Sequence, residues 1–289
     1  MNFNYTILQS KNMITFSNIG YKGRLGNQMF QFASTLGIGR KCKYDVKFPM
    51  NSKKINKNFA DGIKRLAWFE LPDIFQINSE LLIENVPHTL NRFREPHFHF
   101  DKNVFSTMRD NADLFGYFQS EKYFKESEAE VRSNFTFKSN IIKYARKHMP
   151  NTSNETVAIH IRGGDFLKLK TFQVCSQKYY NSAISKYFVD KKYHFLIFSD
   201  DHKYARKLFN TYDNVTYIST NNAYVEMCMM SLCNHNIIPN STFGWWSAWL
   251  NINKNNKIIM PSKWFNSESK YNFRDVHCKD WIVMDCNGL

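Results

Sequence analysis

Several enzyme and structural classes are excluded by what this sequence lacks. Its six cysteines are scattered over 289 residues with no Cys-x-x-Cys pair, which argues against a disulfide scaffold. No apolar run approaches the roughly 18–20 residues needed to span a bilayer. The stretch 1–11 mixes Asn, Tyr, Gln and Lys with apolar residues and does not read as a signal peptide, so the expected setting is cytoplasmic and reducing. Asp-x-Asp, the usual holder of a metal-bound diphosphate, occurs nowhere. Walker A, GxGxxG, GxSxG, HExxH and Cys/His zinc patterns are missing too. His97 and His99 form the one close His pair and have no third ligand at fitting spacing, so no metal is expected. Acidic residues are also scarce. Lys and Arg number 39 against 25 Asp and Glu, a net charge of +14, which points to an anionic partner: nucleic acid, a membrane face or a phosphorylated small molecule. No RRM, helix-turn-helix or zinc module supports the first of these.

What is present is a large supply of core. Apolar residues make up 43% and aromatics 16%, enough for two ordinary domains or one large one. Met13–Phe16 reads as an opening strand, running into the glycine-rich turn 20–28 and a helix over 29–36 that stops near Gly37–Gly39. From Cys42 to Asn111 the chain is polar and shows no clear period. An aromatic strand and turn follow over 114–124, then helices over 125–135 and 141–148. The stretch 149–154 is the best domain boundary. Beyond it strands (156–161, 195–198, 215–218, 236–239, 257–260) alternate with helices (178–188, 202–209, 225–232, 241–250), with Asn222 as a cap. That alternation implies a parallel sheet with helices on both faces.

Open α/β sheets bind ligands beyond the carboxyl ends of their strands. Three loops fall there. In His160-Ile161-Arg162-Gly163-Gly164-Asp165, Arg162 can grip a phosphate with its planar fork while the glycines admit close backbone approach and Asp165 steadies the fork; a surface Arg–Asp turn is the plain alternative. Asp200 and Asp201 could accept from a ribose hydroxyl or a guanine edge, or merely cap the next helix. Ser241 and Thr242 stand at the N-terminus of a helix directly after a strand, a suitable phosphate seat or simply a good cap.

Together these segments closely resemble the α-1,2-fucosyltransferases of glycosyltransferase family 11. The motifs are Gly23-Arg24-Leu25-Gly26-Asn27-Gln28-Met29-Phe30-Gln31-Phe32, Gly116-Tyr117-Phe118-Gln119-Ser120-Glu121-Lys122-Tyr123-Phe124, the 160–165 loop, Phe198-Ser199-Asp200-Asp201, the stretch 230–249 and Pro261-Ser262-Lys263-Trp264-Phe265. The resemblance implies an α/β, GT-B-like fold: a Rossmann-like acceptor-side domain over 1–151, a nucleotide-sugar domain over 152–262, and a tail over 263–289, with a cleft between the domains. It implies inverting, metal-independent transfer of L-fucose from GDP-β-L-fucose to the 2-hydroxyl of a galactoside, with no cofactor. Arg162 would neutralise the β-phosphate, with Asp165 orienting it. Ser241, Thr242 and Phe243 would hold the diphosphate, His160, Asp200 and Asp201 the nucleoside side, and Arg24, Gly26, Asn27 and Gln28 would close from the first domain. The expected partners are a GDP-sugar and a galactose-containing glycan, with no nucleic acid and no transmembrane segment; the basic charge leaves peripheral membrane contact open. One departure stands out: the family's usual second Arg is Gly163 here, with Lys168, Lys170 or Arg24 as candidate substitutes. The alternatives are a transferase for another nucleotide-deoxyhexose and a catalytically weak glycan- or anion-binding protein.

Overall fold

The computed structural model describes residues 12–50, 53–58, 64–87, 90–164, 166–167, 169, 171–189, 192–209 and 212–288. The first lobe contains β1 (Met13–Thr15), α1 (Leu25–Cys42), β2 (Asp45–Pro49), β3 (Ile55–Asn58), β4 (Lys64–Ala67), α2 (Leu71–Ile74), β5 (Leu82–Ile83), β6 (Asn91–Arg94), α3 (Asn103–Thr107) and β7 (Ala112–Phe115). α4 (Glu128–Asn134) and α5 (Ser139–His148) lead to the second lobe. That lobe runs β8 (Glu155–Ile161), α6 (Gln177–Tyr187), β9 (Tyr193–Ser199), α7 (His202–Leu208), β10 (Val215–Tyr217), α8 (Ala223–Leu232), β11 (His235–Ile237), α9 (Thr242–Trp249), β12 (Ile258–Pro261) and β13 (Ile282–Met284).

Each lobe has its own parallel sheet. The first is ordered β5-β2-β1-β7-β6, with β3 and β4 as a separate antiparallel pair. The second is ordered β10-β9-β8-β11-β12-β13. Counted within that lobe, the order is 3-2-1-4-5-6, the doubly wound dinucleotide-binding arrangement, with its reversal between β8 and β11. Where the strand order reverses, neighbouring crossovers leave in opposite directions and a crevice opens at the carboxyl ends. The segment 263–289, expected as a tail, supplies β13 as the outermost strand, paired with β12 through Ile259–Ile282 and Met260–Val283.

Burial parity along β8 decides which side chains face the other lobe. Successive residues of a strand point to opposite faces. Val157, Ile159 and Ile161 enter one core cluster with Tyr179, Tyr180 and Phe195. Ala158 enters the other, which continues into the first lobe through Phe30, Phe32 and Phe135. α9 (Thr-Phe-Gly-Trp-Trp-Ser-Ala-Trp) is apolar nearly all round, as a helix buried on every side must be. Phe30 of α1 packs against its Trp245 and Trp246, with ring centroids 4.5 and 5.0 Å apart. Such pairs contribute ~0.5–1.5 kcal/mol each beyond area burial, so the lobes are joined by core rather than by a loose hinge.

α1 does not stop at Gly37–Gly39 but continues to Cys42. The glycines serve packing rather than termination. A Cβ at Gly37 would stand 2.3 Å from the Tyr123 carbonyl oxygen, and one at Gly39 would stand 2.1 Å from Val46 Cγ2. The helix ends instead at Lys43, in the left-handed region with φ 59°.

Candidate active site

Parity puts His160 and Arg162 on the same side of β8 as Ala158, toward the first lobe. β8 and β9 pair with Ile161 opposite Ser199, so the next residues, Arg162 and Asp200, leave the sheet side by side. Arg162 Nη1 lies 2.6 Å from Asp200 Oδ2, and the arginine side chain is only 14% exposed. The other carboxylate oxygen accepts the Gly163 N–H at 2.9 Å. Asp200 therefore fixes both the guanidinium and the backbone that carries it. The guanidinium also lies 5.0 Å over the Phe166 ring. Gly164 has φ +45°, and a Cβ there would come 2.6 Å from Asp200 Oδ2, so this turn needs glycine. Asp165, Lys168 and Lys170 lie outside the described residues.

Beside β8, β11 delivers the N-terminus of α9. Ser241 occupies the N-cap position with an extended backbone, yet its hydroxyl makes no capping bond. The first turn of any helix holds N–H groups that the helix cannot satisfy, and its dipole favours an anion. The N-terminus of α1 meets this point from the other lobe. A Cβ on Gly26 would fall 2.6 Å from Thr242 carbonyl carbon and Oγ1 and 2.8 Å from the Phe243 nitrogen. Two helix N-termini thus converge at the reversal point of the second sheet, on the strand next to the one that carries Arg162. His160 lies under them, buried, with its ring 5.5 Å from Phe243. A Cβ at Gly244 would come 2.6 Å from its Nδ1. Burial first, and then the charge of Arg162, pull the imidazole down to about 3, so it is neutral at physiological pH.

Other expected residues are placed differently. Gln28 is buried, and its amide is committed to the Trp68–Glu70 segment. Nε2 donates to Glu70 Oε1 at 2.8 Å and to the Trp68 carbonyl at 3.2 Å, and Oε1 accepts from the Glu70 N–H at 3.0 Å. It holds a wall of the first lobe instead of reaching for phosphates. Asp201 caps α7, accepting from the Tyr204 N–H at 2.9 Å, which is the plain reading of that pair's second member. Asn27 is half-buried and accepts from Gln119 Nε2 at 2.7 Å, tying the α1 start to the 116–120 turn. Arg24 stands half-buried at the N-cap of α1. At Gly163 the space is already occupied: a Cβ would meet Asp201 Cβ at 3.0 Å and Tyr204 Cδ1 at 3.1 Å, so a long side chain there requires its neighbours to give.

Two carboxylates escaped the sequence reading because they lie in the stretch without a period. Glu70 accepts from Tyr224 Oη of α8 at 2.7 Å, a hydrogen bond between the lobes. Glu95, just past β6, accepts the Tyr117 and Phe118 N–H groups at 2.7 Å each. Burial raises the Glu95 carboxyl to about 7 in spite of those two donors and Lys22.

The profile of the family described as Glycosyl transferase family 11 matches residues 2–285. The chain belongs to that family. An α-1,2-colitosyltransferase of Escherichia coli is 28% identical over 286 residues, covering 91% of this chain and 97% of that protein. The O-antigen biosynthesis glycosyltransferase WbnK of Escherichia coli is also 28% identical, covering 86% and 94%. A Bos taurus galactoside alpha-(1,2)-fucosyltransferase 1 is 23% identical, covering 79% of this chain and 64% of that protein. Among solved structures, NodZ α-1,6-fucosyltransferase soaked with GDP-fucose superposes with TM-score 0.54 at 12% identity, covering 82% of this chain and 91% of that one. POFUT1 in complex with GDP-fucose gives 0.51 at 13% identity, covering 87% and 98%. The fold is thus the GT-B-like one expected, and this family 11 member is a glycosyltransferase. No helix among the described residues is long and apolar enough to cross a membrane.

Proposed function

We propose that the protein is an inverting glycosyltransferase that moves L-fucose from GDP-β-L-fucose to the 2-hydroxyl of a galactoside, without a metal or other cofactor. The observation that carries this reading is Arg162: largely buried, anchored on Asp200, and set beside the α9 N-terminus at the reversal point of a 3-2-1-4-5-6 sheet. Chemically the C1–O bond to the β-phosphate breaks while the acceptor oxygen bonds C1 from the opposite face. The acceptor proton passes to solvent or a nearby base, and GDP leaves with an extra negative charge. A preorganised guanidinium and a helix N-terminus can take up that charge in the manner of an oxyanion site, which is the role a cation plays in Asp-x-Asp enzymes. Ser241, Thr242 and Phe243 would face the diphosphate, Gly26 and Asn27 would close from the first lobe, and His160 would support the seat as a neutral ring.

The test is kinetic. Arg162→Ala should lower kcat/KM at least about 10²-fold, the scale for removing one preorganised donor, and Arg162→Lys should recover only part, since a point charge lacks the fork. Near-wild-type turnover in Arg162→Ala defeats the proposal. Activity unchanged by chelator is expected alongside.

The likeness to a colitosyltransferase favours a second reading, in which the donor carries a different deoxyhexose. The same phosphate seat would serve, with the sugar chosen by side chains elsewhere in the cleft. Turnover measured with a panel of nucleotide-deoxyhexoses decides between them.

A further inference from the structure

Two groups of aromatic residues bear on the site. Phe32, Phe48, Phe69 and the α9 tryptophans are buried core. A second group follows the carboxyl ends of parallel strands: Phe98 after β6, Tyr117 after β7, Phe166 and Phe172 after β8, Phe265 and Tyr271 after β12; Phe265 is buried, Tyr271 is exposed and the others are partly buried. Phe166, Phe172, Phe265, Phe98 and Tyr271 form a continuous row. Phe166, under the Arg162 guanidinium, stacks on Phe172 at 4.1 Å and 9°. Phe172 lies 5.6 Å from Phe265, which lies 5.0 Å from Phe98 of the first lobe and 5.1 Å from Tyr271. Phe98 and Tyr271 complete a triangle at 5.8 Å. Burial first, and then the charges of Tyr271 and Glu95, push the Tyr117 phenol up. The row therefore starts at Arg162, crosses between the lobes and ends at a tyrosine that is 55% exposed.

Packing against the core accounts for Phe98, Phe172 and Phe265, but Tyr271, at the end of a stack drawn from both lobes, is left mostly exposed. We propose that this row is the acceptor seat, on which a pyranose of the acceptor glycan lies with its C–H face against Tyr271 and Phe98. The proposal rests on the transferase reading above and deepens it. A pyranose presents an apolar face of C–H groups, weakly positive, which suits the negative face of an aromatic ring. Its rim of hydroxyls suits the phenolic oxygens of Tyr117 and Tyr271, each able to donate and accept. The donor diphosphate is assigned to Arg162 and α9, at one end of the row. An acceptor lying along the rest would reach the sugar carbon from the first-lobe side, and inversion requires that this be the face opposite the leaving group. Glu95 is a positioning residue here, holding the Tyr117–Phe118 backbone through both its oxygens, with Phe118 at φ 50°.

Tyr271→Ala is the decisive variant, because a half-exposed side chain can be truncated without emptying the core. The KM for lactose should rise about 10-fold, while the Kd for GDP and the transfer of donor sugar to water stay within about twofold of wild type. Tyr271→Phe should keep most of the acceptor affinity. Saturation-transfer NMR with methyl β-galactoside and saturating GDP reads the same seat without turnover: wild type should show the sugar signals and Tyr271→Ala should lose them. An unchanged lactose KM or sugar signal in Tyr271→Ala overturns the seat, as does the lack of any signal in wild type. A weakened GDP Kd in Tyr271→Ala also overturns it, by making the row a nucleobase platform. A wild type that binds the galactoside through Tyr271 yet transfers no sugar to it would keep the seat and remove the fucosyltransfer reading.

Discussion

The two lobes use the same βα grammar to different ends. In the second, the charged chemistry is local: Arg162, Asp200 and the start of α9 all sit at the ends of three strands within one sheet. In the first, what reaches the site is mostly backbone and bulk. Gly26 allows close approach, while Gln28 and Glu95 spend their polar atoms holding wall and turn. One lobe supplies the electrostatics and the other supplies the fit. The sharpest way to break that division is Asp200→Asn, which keeps the size of the anchor but removes its charge. With Arg162 and the Gly163 N–H both relying on it, kcat/KM should fall about 10- to 100-fold, toward the loss expected for Arg162→Ala itself. Steady-state kinetics checks this. Wild-type values would mean that the arginine is oriented from elsewhere.

Next in size is Gly26→Ala. The added carbon would have to occupy space 2.6 Å from Thr242, most of it backbone, so the α1 and α9 termini must part. Overpacking of this kind costs roughly 1–3 kcal/mol, and here the strain lies across the lobe junction. Thermal melts should show a lowered Tm, and GDP titration should show weakened binding. Gly163→Ala, at 3.0 Å from a side-chain carbon, is the milder control. If both alanines are equally harmless, the first lobe does not fit as tightly as its geometry states.

The lobes also differ in legibility. The strands of the second could be read because central parallel strands are buried on both faces and appear as continuous apolar runs, such as Phe195-Leu196-Ile197-Phe198 within β9. The first lobe hid its edge strands for the opposite reason. β6 reads Asn-Arg-Phe-Arg at one sheet edge and β5 is two residues at the other, and edge strands carry polar residues and little period. β13 was missed similarly, as a short partly exposed edge after a long irregular stretch. At the site, Arg162 was visible as a cation at the end of an apolar strand. Its partnership with Asp200 was not, since it exists only once β8 and β9 pair in register. Gln28 looked like a ligand because its motif neighbours the turn. Only the fold shows its side chain committed to Glu70.

Titration offers a third comparison, of opposite sign in the two lobes. Glu95 has its carboxyl raised from 4.5 to about 7, chiefly by burial. The folded state then binds more protons than the unfolded one between those values, so this contribution to stability is full below pH 4.5 and lost as pH rises through 7. His160, lowered from 6.5 to about 3, does the reverse: its contribution is full above pH 6.5 and is lost as pH falls toward 3. Glu95→Gln removes only the first term. The stability of the variant minus that of wild type should therefore increase by roughly 3 kcal/mol from pH 4 to pH 8. Urea melts at both pH values measure it, and a flat difference would mean that Glu95 is ionised and well solvated in the fold.

The smallest effect separates the paired aspartates of the β9 loop. Asp200 is expected to serve catalysis, whereas Asp201 is bonded as an N-cap, its carboxylate on the Tyr204 N–H. Serine caps a helix about as well as aspartate, and alanine does not; losing a cap costs about 1 kcal/mol. Asp201→Ala should thus lower stability by about that much, and Asp201→Ser should restore it, with the donor KM close to wild type in both. A contribution to nucleoside binding would give another pattern: Asp201→Ser would melt like wild type and still bind GDP poorly. Parallel melts and GDP titrations on the two variants therefore read the cap and the ligand contact separately. If the second pattern appears, the α7 start joins Arg162 and α9 as a donor-binding element, and the charged site of the second lobe extends one residue further than its hydrogen bonds indicate.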